Sequence, residues 1–246
     1  MDWNTYEAAL FDLDGVVTPT AEVHMRAWAK MFTEFLADHP EARPYGDEDY
    51  FGAIDGKPRY DGVRSFLASR DITLPEGDPD DSPDAQTVCG LGNRKNEVFS
   101  QVLADEGVDP YPGSLALLRQ LRAAGMPMSI VSSSRNAPAV LEAAGVSDFF
   151  THVVHGGVAA EQGLAGKPAP DTFLYAARLL GAPADRAVVL EDAVSGVRAG
   201  ASGAFGLVIG VDRGVGADAL REAGADVVVA DLDELLTDAD RQEGDA

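Results

Sequence analysis

At 246 residues, 46% of them hydrophobic, the chain is long enough for one large globular domain or for a core domain with an insert, and it is not a disordered chain. Its formal charge of −22 argues against nucleic acid or an anionic membrane as a partner held by a general basic surface. With no basic leader and no apolar run of bilayer length, a cytoplasmic chain is expected, and the single cysteine, Cys89, excludes an intrachain disulfide or a cysteine-built zinc cluster. The first predicted element is a short apolar strand from Glu7 to Leu13 that runs into Asp12 and Asp14 and breaks at Gly15. Residues 21–103 then read as helices without a convincing strand: His24 to Phe32, Tyr60 to Ser69 and Arg94 to Leu103. Between the last two lies a proline- and aspartate-rich loop from Leu74 to Pro83. After Ala104 strands and helices alternate. Strands are predicted at Met126 to Val131, His152 to His155, Ala187 to Leu190, Phe205 to Ile209 and Asp226 to Val229. Helices are predicted at Ser114 to Ala124, Ala137 to Ala144, Asp171 to Leu180 and Ser195 to Ala201, and Thr237 to Ala246 is expected to be a frayed tail.

The alternation predicts an α/β fold: a doubly wound parallel-sheet, Rossmann-like core whose ligands gather at the carboxyl ends of the strands. The core is assigned to 1–20 and 104–246, interrupted by an inserted α-helical cap domain over 21–103. Polar residues recur where a site would form. Asp12 and Asp14, two residues apart on a strand, point to one side, and their mutual repulsion calls for a cation or a shifted pKa. Ser132-Ser133-Ser134-Arg135-Asn136 places hydroxyls and backbone N–H groups where a phosphate could be held, although serines there equally suit helix capping. Lys167 precedes the helix from Asp171 and is one of only four lysines, so its position carries weight. Glu191 and Asp192 form a second acidic pair at a strand end. Hard oxygen ligands from Asp12 and Asp192, with a backbone carbonyl and water, suit Mg²⁺.

These segments, in this order, resemble the haloacid dehalogenase superfamily of phosphotransferases over almost the whole chain. The resemblance implies that Asp12 is the nucleophile, Asp14 the general acid and base, Ser132 and Lys167 phosphate contacts, and Asp192 a Mg²⁺ ligand. Asp14 and Glu191 complete or support the metal site. A carboxylate attacking phosphorus gives an aspartyl-phosphate, which splits a difficult transfer into two steps. The run FDLDGVVTPTAEVHMRAW from Phe11 to Trp28 is similar, more narrowly, to the β-phosphoglucomutase subfamily. By that resemblance Thr20, His24 and Trp28 lie at the hinge and cap face beside the nucleophile, with Thr20 and His24 counted among the catalytic residues. Gly56, Arg59, Lys95, Ser133, Ser134, Arg135 and Asn136 join the substrate-binding set, and Arg59 holds the second, non-reacting phosphate.

The match has departures. Mutases of this subfamily usually carry a basic residue where Asp55 stands, a small hydroxyl residue at Gly62, a lysine at Arg135 and an aspartate at Pro19. Lys57 could compensate for Asp55, and the cap loop from Pro75 to Val88 is longer than usual. The first expectation is a monomeric, Mg²⁺-dependent mutase interconverting β-D-glucose 1-phosphate and glucose 6-phosphate, with no nucleic-acid or membrane partner. The alternative is a phosphatase of the same fold acting on a small phosphorylated metabolite. Dehalogenation is disfavoured because the pair Glu191 and Asp192 calls for a metal that it does not need, and a scaffolding role because every reactive residue is in place.

Overall fold

The computed structural model describes residues 1–237 of the chain, so the tail expected to fray lies, from residue 238 onward, outside the described residues. Thr237 itself donates its amide to Gln120 Oε1 at 2.9 Å. The chain divides into two compact units, one made of Met1–Pro19 with Val108–Ala246 and the other of Thr20–Gly107.

In the first unit, strand β1 (Ala8–Phe11) follows a short 3-10 turn and leads into the acidic loop. The second unit is helical: α1 (Thr20–Leu36), α2 (Asp47–Asp49) continuing into a π turn at Tyr50–Ile54, α3 (Arg59–Ala68) and α4 (Val88–Glu106). The chain returns to the first unit through α5 (Pro112–Ala123), β2 (Met128–Val131), α6 (Ala137–Ala143), β3 (His152–Val154), α7 (Gly156–Glu161) and α8 (Asp171–Leu179). It ends with β4 (Ala187–Glu191), α9 (Val194–Ser202), β5 (Leu207–Val211), α10 (Ala217–Ala223) and β6 (Val227–Val229).

The six strands form one parallel sheet in the order β3-β2-β1-β4-β5-β6. Every residue of β1, β2 and β4 is buried, as expected of central parallel strands covered on both faces. One core layer packs Ala8 and Leu10 of β1 and Ala187 and Val189 of β4 against Phe173, Ala176 and Ala177 of α8 and Val197 of α9. Successive connections run outward in opposite directions from β1 and β4. That reversal is the topological switch point, where an open parallel sheet leaves a crevice at its carboxyl edge.

Several predicted elements change their limits for physical reasons. Strand β1 stops at Phe11, because the amides of Val17 and Thr18 both turn back to the Leu13 carbonyl and close the acidic loop on itself. Asp12 keeps one ladder bond, from its amide to the Leu190 carbonyl at 2.9 Å, and Asp14 lies beyond the sheet. The strand predicted at Phe205 to Ile209 lies at Leu207–Val211, since Gly206 spends its amide on Ala184 and Ala187 in a turn. Helix α4 begins six residues before the predicted Arg94 start, as Thr87 caps it by accepting from the Gly90 amide at 2.9 Å; its glycines are tolerated through packing. Helices α2, α7 and α10 were not predicted. All three are short, and α7 opens on two glycines.

The helical unit has its own core. In α1 the buried residues His24, Ala27, Trp28, Met31, Phe32, Phe35 and Leu36 recur at spacings of three and four and so form one face. Phe32 stacks on Phe66 of α3 with ring centroids 3.6 Å apart. Beside this core, Asp49 accepts from Arg70 Nη1 and Nη2 at 2.7 and 2.5 Å, from Arg43 Nη2 at 2.5 Å and from the Gly46 amide at 2.9 Å. Burial works against the Asp49 charge, but the Arg70 guanidinium and the Gly46 amide outweigh it and hold the carboxyl below the usual range. Its contribution to stability is therefore present above the unfolded carboxyl pKa and fades as pH falls through the lower folded value.

Asp49→Ala leaves the Arg70 guanidinium buried without its carboxylate. It is expected to destabilise the helical unit by about 3 kcal/mol at pH 7. Urea unfolding followed by Trp28 fluorescence in a Trp3→Phe background measures this, and a loss below about 0.5 kcal/mol, the scale of an ordinary surface substitution, contradicts it.

Candidate active site

Three strand ends of the first unit converge. Phe11 of β1 stands opposite Ile130 of β2 and Leu190 of β4, so one step further Asp12 lies between Val131 and Glu191. Lys167, from the loop before α8, reaches into this space with its ammonium. It donates to Asp12 Oδ1 at 2.5 Å, to Glu191 Oε2 at 2.7 Å and to the Val131 carbonyl at 3.0 Å. Three donors meet three acceptors, so the ammonium is fully satisfied although only 4% of the residue is exposed. Phe173 lies below it, with its ring centroid 5.0 Å from Nζ.

Burial sets the electrostatics. It pushes the Asp12 carboxyl up; Lys167 opposes the shift and Asp14 adds to it, and the group settles at about 6. Burial, then the charge of Asp12, pushes Glu191 up to about 8. Burial disfavours the charge of Lys167 too, but Asp12 and Glu191 outweigh it and keep the ammonium charged. One cation thus faces two buried carboxylates, and without further positive charge the cluster retains a proton near neutrality.

Gly15 shapes the acidic loop. Its φ of +84° is a conformation that side-chain-bearing residues rarely adopt, and a Cβ there would stand 1.9 Å from Asp192 Oδ2. The glycine therefore makes room for the Asp192 carboxylate. Gly196 does the same for Glu191, whose carboxylate would lie 2.0 Å from a Cβ at that position. Glu191 also accepts from the Ala193 amide at 3.2 Å.

Asp12, Glu191 and Asp192 each offer an oxygen within 4.8 Å of the others, a hard-oxygen set of the kind that holds a divalent cation. Asp14, expected in the same set, is not part of that group, although it is near enough to raise the Asp12 pKa. Ser132 is buried beside Asp12, its amide bonded to the Val154 carbonyl at 3.0 Å. The serine run does not cap α6. Ser132 Oγ accepts from the Ser134 amide and Ser134 Oγ from the Asn136 amide, both at 3.1 Å, which folds the segment into two successive turns. Ser133 is half-buried, Arg135 exposed and Asn136 half-buried.

The helical unit carries a second constellation. His24 stacks on Phe99 with centroids 4.1 Å apart, and its Nδ1 meets the Lys95 ammonium. Lys95 is buried 5.2 Å from the Trp28 ring centroid and 4.9 Å from that of Phe99, a box of π faces that suits a desolvated cation. Thr20, His24 and Trp28 are all buried on α1. Gly56 has φ +69° and opens the turn before α3. Arg59 donates to Asn96 Oδ1 at 2.7 Å and Asn93 Oδ1 at 3.4 Å, while Asn93 Nδ2 also holds the Pro79 and Asp81 carbonyls at 3.0 and 2.9 Å. Asn93 thus ties the extended loop to Arg59, a role that a lone asparagine in a helix gives no sequence signal for. Lys57, which could compensate for Asp55, donates its ammonium to the Ala53 carbonyl at 2.8 Å and to Ser65 Oγ at 2.9 Å. Cys89 is buried at the start of α4, and burial raises its thiol pKa, as befits an unreactive packing residue.

Residues 6–203 match the family model for haloacid dehalogenase-like hydrolases. The chain is 50% identical over 238 residues to a protein of Mycobacterium tuberculosis named β-phosphoglucomutase, covering 93% of this chain and 91% of the relative. It is 33% identical to the Bacillus subtilis protein of the same name, covering 93% and 91%, and 31% identical to Escherichia coli hexitol phosphatase A, covering 78% and 76%. Among solved structures it resembles β-phosphoglucomutase of Clostridium difficile, with a TM-score of 0.76 at 23% identity over 98% of this chain and 97% of that one. It also resembles CbbY of Rhodobacter sphaeroides in complex with phosphate, with a TM-score of 0.71 at 25% identity over 96% and 98%. These relatives imply a divalent metal, in keeping with the acidic cluster.

The raised pKa values give cation binding a pH sign. Below about 8 the cation-free cluster holds a proton on Glu191 or Asp12 that a cation must displace, so affinity rises with pH. Titration calorimetry with Mg²⁺ at pH 6, 7 and 8 in buffers of different ionisation enthalpy is expected to show tighter binding and less proton release as pH rises. Constant affinity with no proton release would contradict it.

Proposed function

The chain belongs to the haloacid dehalogenase-like hydrolase family, and from that premise we propose that it is a Mg²⁺-dependent β-phosphoglucomutase converting β-D-glucose 1-phosphate to glucose 6-phosphate. The observation that carries the reading is the Lys167 ammonium bound to Asp12 at the switch point of the sheet, beside Asp192. The 50% identity to the M. tuberculosis protein over nearly its whole length supports the choice of sugar phosphate.

Asp12 is the nucleophile. Lys167 holds one of its oxygens and favours the ionised form, so the other attacks phosphorus while the sugar oxygen departs and takes a proton from Asp14. Ser132 binds a transferring phosphoryl oxygen, and Lys167 binds another by exchanging one of its three bonds to Asp12, Glu191 and Val131 for it. In the mutase cycle phosphorylated Asp12 donates to the 6-hydroxyl of β-glucose 1-phosphate as Asp14 accepts the hydroxyl proton. The resulting bisphosphate reorients, and its 1-phosphoryl group passes to Asp12 as Asp14 returns the proton to the anomeric oxygen. Asp12 and Asp192 would hold Mg²⁺, with Glu191 orienting Lys167 and bracing the site. When bound, the ion offsets negative charge on the transferring phosphoryl group. Arg59, oriented by Asn93 and Asn96, holds the second phosphate, and His24, Lys95, Trp28 and Thr20 support the helical unit's part in catalysis.

A second reading, a phosphatase of the same mechanism, is favoured by one observation. Asp55 stands where the subfamily usually has a base, and Lys57 is committed to Ala53 and Ser65. The two readings separate in one tube. ³¹P NMR of the protein with Mg²⁺, β-glucose 1-phosphate and a trace of β-glucose 1,6-bisphosphate is expected to show primer-dependent glucose 6-phosphate with little inorganic phosphate, and Asp12→Asn to abolish it. Release of inorganic phosphate as the main product would overturn the mutase assignment, and turnover by Asp12→Asn would overturn the nucleophile.

A further inference from the structure

The loop that carries Asp14 is held from outside itself. Gly15 donates its amide to the Thr18 carbonyl at 2.7 Å, and every remaining carbonyl from Gly15 to Val17 has a distant partner. The Val16 carbonyl accepts from Ser114 Oγ at 2.6 Å and the Val17 carbonyl from the Tyr111 amide at 3.0 Å. The Gly15 carbonyl accepts from Arg213 Nε at 2.9 Å, a contact between residues 198 apart in the chain.

Arg213 follows β5 and spends the rest of its guanidinium on the chain that leaves β6. Nη1 donates to the Ala230 carbonyl at 3.0 Å and Nη2 to Asp231 Oδ2 at 2.9 Å, while the Tyr111 ring lies with its centroid 3.8 Å from Cζ. Asp231 is fixed in turn, for it accepts from the Asp233 amide and lies against Gly113, where a Cβ would stand 1.7 Å from its Oδ1. A planar fork with donors in three directions is what this arrangement requires, and a lysine ammonium on its flexible stem would not reproduce it.

We propose that Arg213 is a positioning residue that, by clamping the Gly15 carbonyl, fixes Asp14 for proton transfer to and from the sugar oxygen. The inference rests on the reading of Asp14 as the general acid and base. The carbonyl that Arg213 grips belongs to Gly15, the residue after Asp14, whose φ of +84° is the conformation that leaves room for Asp192. If Gly15 leaves that conformation, Asp14 leaves the line to the leaving oxygen. Misplacement by about an ångström costs on the order of 100-fold in rate, comparable to the lower end of what a general acid supplies.

A general acid matters in proportion to how poor the leaving group is, and this separates positioning from simple support of the fold. The test measures kcat/KM, with Mg²⁺ saturating, for aryl phosphates of graded phenol pKa and for β-glucose 1-phosphate. It compares the wild type, Arg213→Met, Arg213→Lys and Asp14→Asn, with thermal midpoints recorded for each. The expected result is a steeper dependence on leaving-group pKa in both Arg213 variants, approaching that of Asp14→Asn. Their loss is expected to be about 10- to 100-fold on the sugar phosphate and much smaller on the best aryl leaving group. A wild-type slope in Arg213→Met, with a uniform loss or only a lowered midpoint, would overturn the proposal. So would a wild-type slope in Arg213→Lys, which would assign the effect to charge rather than to the fork. If Asp14→Asn itself does not steepen the slope, the reading of Asp14 fails instead.

Discussion

Everything at the active centre depends on burying one ammonium between two carboxylates. Lys167, Asp12 and Glu191 are 4%, 6% and 1% exposed, and none could carry a charge there alone without a large desolvation cost. Lys167 makes the cluster tolerable by giving each of its three donors an oxygen. The same bonds perform chemical work, because they lower the proton affinity that burial confers on Asp12, as its proposed part as nucleophile requires. The remaining negative charge suits the cluster to a divalent cation.

The sheet supplies the place for this cluster. Central parallel strands buried on both faces can end in polar groups only at their tips, and the order β3-β2-β1-β4-β5-β6 brings the tips of β1, β2 and β4 together at the point where the winding reverses. Asp12, Ser132 and Glu191 with Asp192 each follow or end one of these strands, and Lys167 arrives from the loop before α8. In a chain whose net charge is −22, the proposed phosphorylated substrate would be met through such local cations. The same constraint gives the few lysines individual tasks: Lys167 lies among carboxylates, Lys95 in an aromatic box beside His24, and Lys57 across its own helical turn.

The clustered carboxylates and Lys167 were legible in the sequence because each marks the end of an apolar strand or the start of an amphipathic helix, where periodicity breaks. The parallel core and the helical stretch between its halves were legible for the same reason. What could not be read was contact at long range. The partners of the acidic loop, Ser114 and Arg213, lie 98 and 198 residues from the carbonyls they hold, and neither sits in a motif. Asn93 is equally silent, since its meaning lies in what α4 faces. The serine run left helix capping open as an alternative, and its hydroxyls instead bond to amides two residues on, which local spacing permits equally well. Short helices such as α7 and α10 escaped because two turns leave too few positions for a period to emerge.

The most direct test of this account is a ¹³C carboxylate NMR titration of the metal-free protein and of Lys167→Met, with the Asp12 signal assigned by its loss in Asp12→Asn. The account predicts that Asp12 titrates near 6 in the wild type and distinctly higher once the ammonium is gone. An Asp12 that ionises at the same pH in both proteins would show that Lys167 does not govern the nucleophile, and would remove the interaction on which the rest depends.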